Sequence, residues 1–218
     1  MSTSASPREG VLLPEAMAYA APLAAIAFAL VWFRERRRAR RVRSEALVDP
    51  LTRLPNRLAF YERLSHEWPR ARRYRRPLGL LLLDMDGLKQ INDTHGHGVG
   101  DRALRAIAQA VSLDIRGSDL AARLAGDEFV VLCPETGGAA LQHLAESVGA
   151  RLEALGIGVS VGVAGYEAGD LFPEDMVTRA DEAMYREKRC RRGTARASGA
   201  ATARPALASS ASSGPRAS

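Results

Sequence analysis

The segment RLAGDEF at residues 123–129 places two neighbouring carboxylates between two mainly apolar runs. The runs at 119–124 and 129–132 have the composition of β-strands, and the four residues between them have the composition of a turn. Asp127 and Glu128 are therefore expected at the tip of a hairpin and not in a core. Taken alone, this pattern also describes an ordinary solvated hairpin.

A second pair of carboxylates closes the apolar run LGLLLLDMD at 78–86. Asp84 and Asp86 are two residues apart, so they share one face if the strand continues through both of them. If this strand lies beside the hairpin, three or four carboxylates converge at one edge of a sheet. Such like charges repel each other, and hard oxygen ligands suit Mg²⁺ with a phosphate-bearing substrate. A solvated strand end is the alternative interpretation of this pair.

Five motifs occur in an order and at spacings that resemble the GGDEF family of diguanylate cyclases. They are DPLTRLPNR at 49–57, DMD at 84–86 with Lys89, ND followed by GHGVGD within 92–101, AGDEF at 125–129, and ADEAMYREK at 180–188. Ala125 stands where the family usually has Gly, and a methyl group at a position of positive φ would cost about 1 kcal/mol. Active relatives with alanine here belong to the family pattern, so we expect an active enzyme.

The sequence predicts an α+β domain at about 49–192 with a central, mostly antiparallel sheet and flanking helices, and the resemblance implies the palm-like fold of nucleotidyl cyclases and polymerases. Periodicity predicts helices at 57–72, 100–114, 139–155 and 173–189, a strand ending at Asp84, a hairpin at 118–133 and a strand at 156–164. The stretch 89–101 is polar and glycine-rich and leads into the second helix. In the first helix, Leu58, Tyr61, Leu64 and Trp68 have the spacing of core residues.

An apolar run from Ala16 to Phe33, interrupted by Pro22, precedes seven arginines between Arg34 and Arg43. A signal peptide carries its positive charges before the apolar run, whereas here they follow it. The positive-inside rule then predicts a single-pass helix at 16–33 in the cytoplasmic (inner) membrane, a short extracytoplasmic segment at 1–15 and a cytoplasmic catalytic domain. A peripheral amphipathic anchor is the alternative, although no polar face is visible in the run.

The chain of 218 residues has a net charge of +6, but the basic excess lies outside the predicted domain. Residues 49–192 hold 20 basic and 21 acidic side chains, and the flanking arginines have few aromatic neighbours, which argues against a nucleic-acid partner. Residues 34–48 are expected to form a basic juxtamembrane helix, of the kind that pairs subunits in the family. The tail at 193–218 is expected to be disordered. The two cysteines show no metal-binding spacing.

The resemblance implies that two GTP molecules are condensed into cyclic di-GMP with release of two pyrophosphates. Because two half-sites must face each other, it also implies a homodimer. It implies Mg²⁺ (or Mn²⁺) held by Asp84, the backbone carbonyl of Met85, Asp127 and Glu128. Asp127 and Glu128 are the candidate catalytic residues, with Asp127 as the candidate general base.

Further positions match the substrate-binding residues of the family: Asn92, His97, Asp101, Lys89, Gly126, Lys188 and Arg192. Asn92 and Asp101 correspond to residues that read guanine, and the three cations correspond to phosphate-binding positions. Arg191 precedes Arg192, where the family usually has glycine. Each of these cations, viewed alone, is also typical of a solvated helix surface.

RGSD at 116–119 ends five residues before Ala125, which is the spacing of the family's inhibitory product-binding site. Arg116 can fork to guanine or phosphate, and Asp119 can accept hydrogen bonds from guanine. The resemblance therefore implies feedback inhibition by cyclic di-GMP at an allosteric site, and a surface turn is the alternative. The alternative function is a catalytically inactive receptor that binds cyclic di-GMP through these two residues. The intact acidic motifs argue against it.

Overall fold

The computed structural model describes Phe28, Leu30, residues 32–34 and residues 47–198. The predicted extracytoplasmic segment, most of the predicted membrane helix at 16–33 and residues 35–46 of the predicted juxtamembrane helix lie outside the described residues. Within the described residues, no helix has the length and apolar character needed to cross a membrane. The chain divides into two units, at 1–46 and 47–218, and the second contains the predicted domain.

The helices and strands of the second unit follow the order that the sequence predicts, with one additional helix. The elements are α1 (Arg57–Tyr74), β1 (Leu78–Met85), α2 (Leu88–His95), α3 (His97–Asp114), β2 (Leu120–Ala125), β3 (Glu128–Pro134), α4 (Gly138–Ala154), β4 (Val159–Gly165) and α5 (Pro173–Ser198). Helix α1 begins after Asn56, whose side chain accepts a hydrogen bond from the backbone N–H of Ala59 at 3.2 Å.

The four strands form one sheet in the order β2-β3-β1-β4, and each neighbouring pair is antiparallel. Strand β1 lies between β3 and β4, and all eight of its residues are buried. This position explains why its sequence is a continuous apolar run, because neither of its faces meets water. The α+β fold with a central antiparallel sheet and flanking helices is confirmed.

Each face of the sheet packs against its own pair of helices. One core joins odd-numbered residues of β1 and β3 to α3 and α4: Leu81, Leu83, Met85, Phe129, Val131, Ile107, Val111, Val148 and Leu152. The other joins even-numbered residues to α1 and α5: Leu78, Leu80, Leu82, Val130, Leu132, Phe60, Leu64, Trp68, Met176 and Ala180. Because side chains alternate along a strand, Asp84 lies on the face that packs against α1 and α5.

Three local predictions differ from the structure. The polar stretch 89–101 is largely helical, because Leu88 and Ile91 of α2 pack against the core and only Gly96, at φ +81°, separates α2 from α3. Leu58 is 55% exposed and lies outside the core, whereas Leu64 and Trp68 are buried. Helix α5 extends to Ser198, so the first six residues of the predicted disordered tail are helical. Residues 199–218 lie outside the described residues.

Candidate active site

The tip of the β2–β3 hairpin lies beside the end of β1. Asp84 and Glu128 are direct cross-strand partners, and the backbone N–H of Met85 donates to the backbone carbonyl of Asp127 at 3.1 Å. The antiparallel pairing of β1 with β3 therefore brings the two acidic motifs together, as the sequence predicts. We refer to Asp84, Asp86, Asp127 and Glu128 as the acidic edge.

Burial and mutual repulsion act on the carboxylates of the acidic edge. Asp84 is only 7% exposed. Burial raises its pKa, Asp127 and Asp86 raise it further, and Lys188 acts in the opposite direction. Burial also raises the pKa of Glu128, followed by the charges of Asp84, Asp127 and Asp181. The ionised cluster is therefore unfavourable by itself, and a bound cation would relieve its repulsion.

Two cations of α5 face this cluster. Lys188 Nζ forms an ion pair with Asp84 Oδ1, and Arg191 Nη1 lies 3.9 Å from Asp86 Oδ2. Asp86 is also fixed on the β4 side, because its Oδ1 accepts a hydrogen bond from Ser160 Oγ at 2.9 Å. Lys188, a predicted phosphate-binding residue, thus contacts the predicted metal ligand Asp84, whereas the contacts of Asp86 with Ser160 and Arg191 were not predicted.

The acidic edge has the donor chemistry of a divalent cation site. No three Asp, Glu, His or Cys side chains among the described residues are grouped so that they could hold one metal ion, and Lys188 engages Asp84. The ligands that the sequence predicts are nevertheless all oxygen atoms, at a position where neighbouring carboxylates raise one another's pKa. These residues fit Mg²⁺ or Mn²⁺ chemically, provided that Lys188 gives up its contact with Asp84.

The turn of the signature tolerates alanine at its first position. Ala125 is the last residue of β2 and pairs with Glu128. The non-glycine residues with positive φ in the described part of the chain are Arg53, Arg75 and Glu135, so the conformational cost considered for Ala125 does not apply. Gly126 has φ +43°, a conformation that favours glycine.

Arg123 joins this turn to the segment before α1. Its Nε and Nη2 donate to the carbonyl of Gly126 at 3.0 and 2.6 Å, and its Nη1 donates to Asp49 Oδ1 at 3.1 Å. The same Asp49 oxygen accepts from the backbone N–H and the hydroxyl of Thr52, at 2.8 and 2.6 Å. Burial alone would raise the pKa of Asp49, but the hydrogen bonds from Thr52 and Arg123 lower it. This network was not predicted from the sequence, although a charged residue within an apolar strand was its signal.

The predicted guanine-reading residues lie on α2 and α3. Asn92 packs closely against Gly100. A Cβ atom at position 100 would lie only 2.0 Å from Asn92 Oδ1, so this contact requires glycine. This Oδ1 atom is buried and has no hydrogen-bond partner among the described residues. Asp101 follows Gly100 and is half-buried, and His97 is exposed at the start of α3. The structure thus places Asn92 beside the turn of α3 that carries Asp101.

The other predicted cations do not contact the acidic edge. Lys89 is exposed on α2, and Arg192 is exposed on α5. Within the part of the chain that the structure describes, neither forms a hydrogen bond or an ion pair. Their assignment to phosphate therefore depends on the sequence resemblance alone.

Arg116 and Asp119 belong to one turn between α3 and β2. Asp119 Oδ2 accepts a hydrogen bond from the backbone N–H of Arg116 at 2.9 Å, and the N–H of Asp119 donates to the Arg116 carbonyl at 3.0 Å. Arg63 of α1 donates to the carbonyl of Ser118 at 3.1 Å and holds the turn against α1. The Arg116 side chain is exposed. This geometry is that of a well-formed surface turn with an exposed arginine, and by itself it indicates no ligand.

Comparison with known proteins agrees with this geometry. The family model described as "Diguanylate cyclase, GGDEF domain" matches residues 46–194. The chain is 42% identical over 159 residues to the diguanylate cyclase DgcP of Pseudomonas aeruginosa, covering 69% of this chain and 24% of DgcP. It is 35% identical over 154 residues to the response regulator PleD of Caulobacter vibrioides, covering 66% of this chain and 34% of PleD. The chain thus spans about a quarter to a third of these relatives.

Solved structures show the same fold. The coiled coil and GGDEF domain of DgcB from Caulobacter crescentus, in complex with c-di-GMP, matches with a TM-score of 0.69 at 29% identity, covering 78% of this chain and 94% of that one. The diguanylate cyclase SiaD of Pseudomonas aeruginosa, in complex with its activator SiaC, matches with a TM-score of 0.63 at 33% identity, covering 82% and 74% of the two chains.

Proposed function

Because this chain belongs to the GGDEF domain family of diguanylate cyclases, we propose that it condenses two GTP molecules into cyclic di-GMP and releases two pyrophosphates. The observation that carries this proposal is the acidic edge. Asp84 lies opposite Glu128, and the backbone of Asp127 is hydrogen-bonded to that of Met85. The relative DgcP, a diguanylate cyclase of Pseudomonas aeruginosa, supports the same activity.

Each half-reaction joins the 3′-oxygen of one GTP to the α-phosphorus of the other. The bond from that phosphorus to the bridging oxygen breaks, and pyrophosphate leaves with the bonding electron pair. Asp127 accepts the proton of the attacking hydroxyl, and Lys188 stabilises negative charge on the phosphates. Asp84, the Met85 carbonyl, Asp127 and Glu128 would hold Mg²⁺ or Mn²⁺, which when bound neutralises the triphosphate.

The guanine base of GTP binds at the junction of α2 and α3. Asn92 Oδ1 is buried and has no hydrogen-bond partner among the described residues. A buried acceptor without a partner typically lowers the stability of a protein by about 1–3 kcal/mol. A guanine N–H group would satisfy it, and Asp101 would accept from the neighbouring N–H and amino groups. His97 is exposed beside them and contacts the same nucleotide, while Lys89 and Gly126 approach its phosphates.

Two further properties belong to the proposal. The enzyme works as a homodimer, because one site holds one GTP and the reaction needs two that face each other. Cyclic di-GMP binds at Arg116 and Asp119 and inhibits its own synthesis. The exposed guanidinium and the turn-fixed carboxylate of this pair support that role. The DgcB structure in complex with c-di-GMP shows that a relative binds the product.

We also propose that the chain is anchored in the inner membrane by a single helix at 16–33, with its catalytic domain in the cytoplasm. The apolar run and the seven arginines that follow it support this arrangement. The anchor confines synthesis to the membrane surface.

The test is incubation of the purified full-length chain with GTP and Mg²⁺, followed by chromatography of the nucleotides. We expect cyclic di-GMP from the wild type and a loss of turnover of at least about 100-fold in Asp127→Asn and Glu128→Gln. Near wild-type rates in both folded variants would refute the role of the acidic edge. Binding of cyclic di-GMP without turnover in the wild type would instead identify a catalytically inactive receptor.

A further inference from the structure

The cationic side of α5 extends from Lys188 to Arg191. Side chains three residues apart are neighbours on the surface of a helix. Lys188 contacts Asp84, and Arg191 Nη1 lies 3.9 Å from Asp86 Oδ2. These two cations therefore face two successive carboxylates of the acidic edge.

Contacts with β4 hold Arg191 in this position. Arg191 Nε donates to Glu187 Oε1 at 3.0 Å, and Glu187 Oε2 accepts from the backbone N–H of Val161 at 2.8 Å. Asp86 is fixed in turn by Ser160, which is fully buried. The guanidinium is thus oriented before any substrate binds, while 43% of the Arg191 side chain remains exposed.

Arg192 differs from Arg191 in each of these respects. It is exposed, and among the described residues it makes no hydrogen bond and no ion pair. The sequence resemblance assigned phosphate binding to Arg192 by its position in the motif, although the family usually has glycine where this chain has Arg191. Of these two arginines, Arg191 is the one that reaches the acidic edge.

We infer that Arg191, together with Lys188, binds the triphosphate of GTP, and that Arg192 does not. This inference rests on the proposed function of the site. A guanidinium presents five N–H donors in one plane and forks to two phosphate oxygens. The phosphates of GTP take the place of Asp86 beside Arg191 Nη1, and Glu187 continues to orient Nε. Asp86, which is not among the proposed metal ligands, holds the guanidinium until substrate arrives.

The test measures binding by the full-length chain and does not depend on turnover. The probes are guanosine 5′-(α,β-methylene)triphosphate with Mg²⁺, which keeps all three phosphates, and GMP, which lacks the outer two. Arg191→Ala should weaken binding of the triphosphate by about tenfold or more and binding of GMP by less than about twofold. Arg192→Ala is the matched control and should change both affinities by less than about twofold. Arg191→Lys, which keeps the charge and loses the fork, should have an intermediate effect.

Two results would overturn the inference. One is a triphosphate affinity that Arg192→Ala weakens and Arg191→Ala leaves unchanged. The other is equal weakening of triphosphate and GMP binding in both Arg191 variants, since a purely structural role would affect the whole nucleotide site. Failure of the wild type to form cyclic di-GMP, with the expected binding pattern intact, would refute the proposed function and support the assignment of Arg191.

Discussion

Replacement of Arg123 by methionine tests the connection between the segment before α1 and the signature turn. The change removes the donors to the Gly126 carbonyl and the ion pair with Asp49, and it keeps much of the apolar stem. The Arg123 and Asp49 side chains are only 13% and 18% exposed, so water replaces the lost contacts incompletely. Hydrogen bonds to charged groups contribute about 1.5–3 kcal/mol each, and loss of one partner of a fully buried pair costs about 3–5 kcal/mol.

For this partly buried pair we expect the free energy of unfolding to fall by about 2–3 kcal/mol, which lowers Tm by about 4–12 °C. The matched control is Arg76→Met, because Arg76 pairs with Glu135 at side chains that are 56% and 58% exposed. Such an exposed pair contributes at most about 1 kcal/mol. The assay is thermal unfolding followed by circular dichroism at neutral pH.

The variant Arg123→Met should also lower kcat by about 10- to 100-fold, because the backbone of the signature turn loses its hydrogen bonds from Arg123. The variant Asp49→Asn should reproduce part of the loss of stability. In the double variant, the effects of Asp49→Asn and Arg123→Met on stability should not be additive. Since the folded-state pKa of Asp49 is lowered, its contribution is present above its unfolded pKa and disappears as the pH falls through the folded value. Equal losses of Tm in Arg123→Met and Arg76→Met, with unchanged kcat, would refute this reasoning.

Three other changes give independent tests. Glu128→Gln should raise Tm by about 1–4 °C at neutral pH, because it removes a like charge opposite Asp84. The folded-state pKa of Glu128 is raised, so this gain in Tm should shrink as the pH falls through that pKa. Equal Tm values of the wild type and Glu128→Gln at pH 7 would contradict repulsion between Glu128 and Asp84. Arg116→Ala should keep turnover and raise the inhibitory concentration of cyclic di-GMP by roughly tenfold. Unchanged inhibition would indicate that residues 116–119 form only a surface turn. Removal of residues 1–33 should release the protein from alkali-washed membranes, whereas wash-off of the full-length chain would indicate a peripheral anchor.

The sequence predicts those features of the fold that depend on local pattern. The uninterrupted apolar run of β1 predicts a strand buried on both faces, and the turn residues of 125–128 predict the hairpin. The convergence of Asp84 with Glu128 follows once the two strands are neighbours. Predictions for residues 16–46 stay predictions, because nearly all of these residues lie outside the described part of the chain.

Contacts between distant segments could not be predicted from periodicity. Arg123 and Asp49 are 74 residues apart, and Lys188 and Asp84 are 104 residues apart. Apolar spacing reports which face of an element is buried, but it does not report which charged side chains meet across the sheet. Helix α2 was missed for a similar reason, since the packing of Leu88 and Ile91 on the core overrides a local composition typical of a loop.

The central claim, that the acidic edge joins two GTP molecules, is tested most directly by following labelled phosphorus. With the full-length chain and Mg²⁺, label at the α-phosphate should appear in cyclic di-GMP, and label at the γ-phosphate should appear in pyrophosphate. The account predicts one pyrophosphate per GTP consumed and two for each cyclic di-GMP formed. Release of γ-label as inorganic phosphate, or consumption of GTP without a dinucleotide, would contradict it.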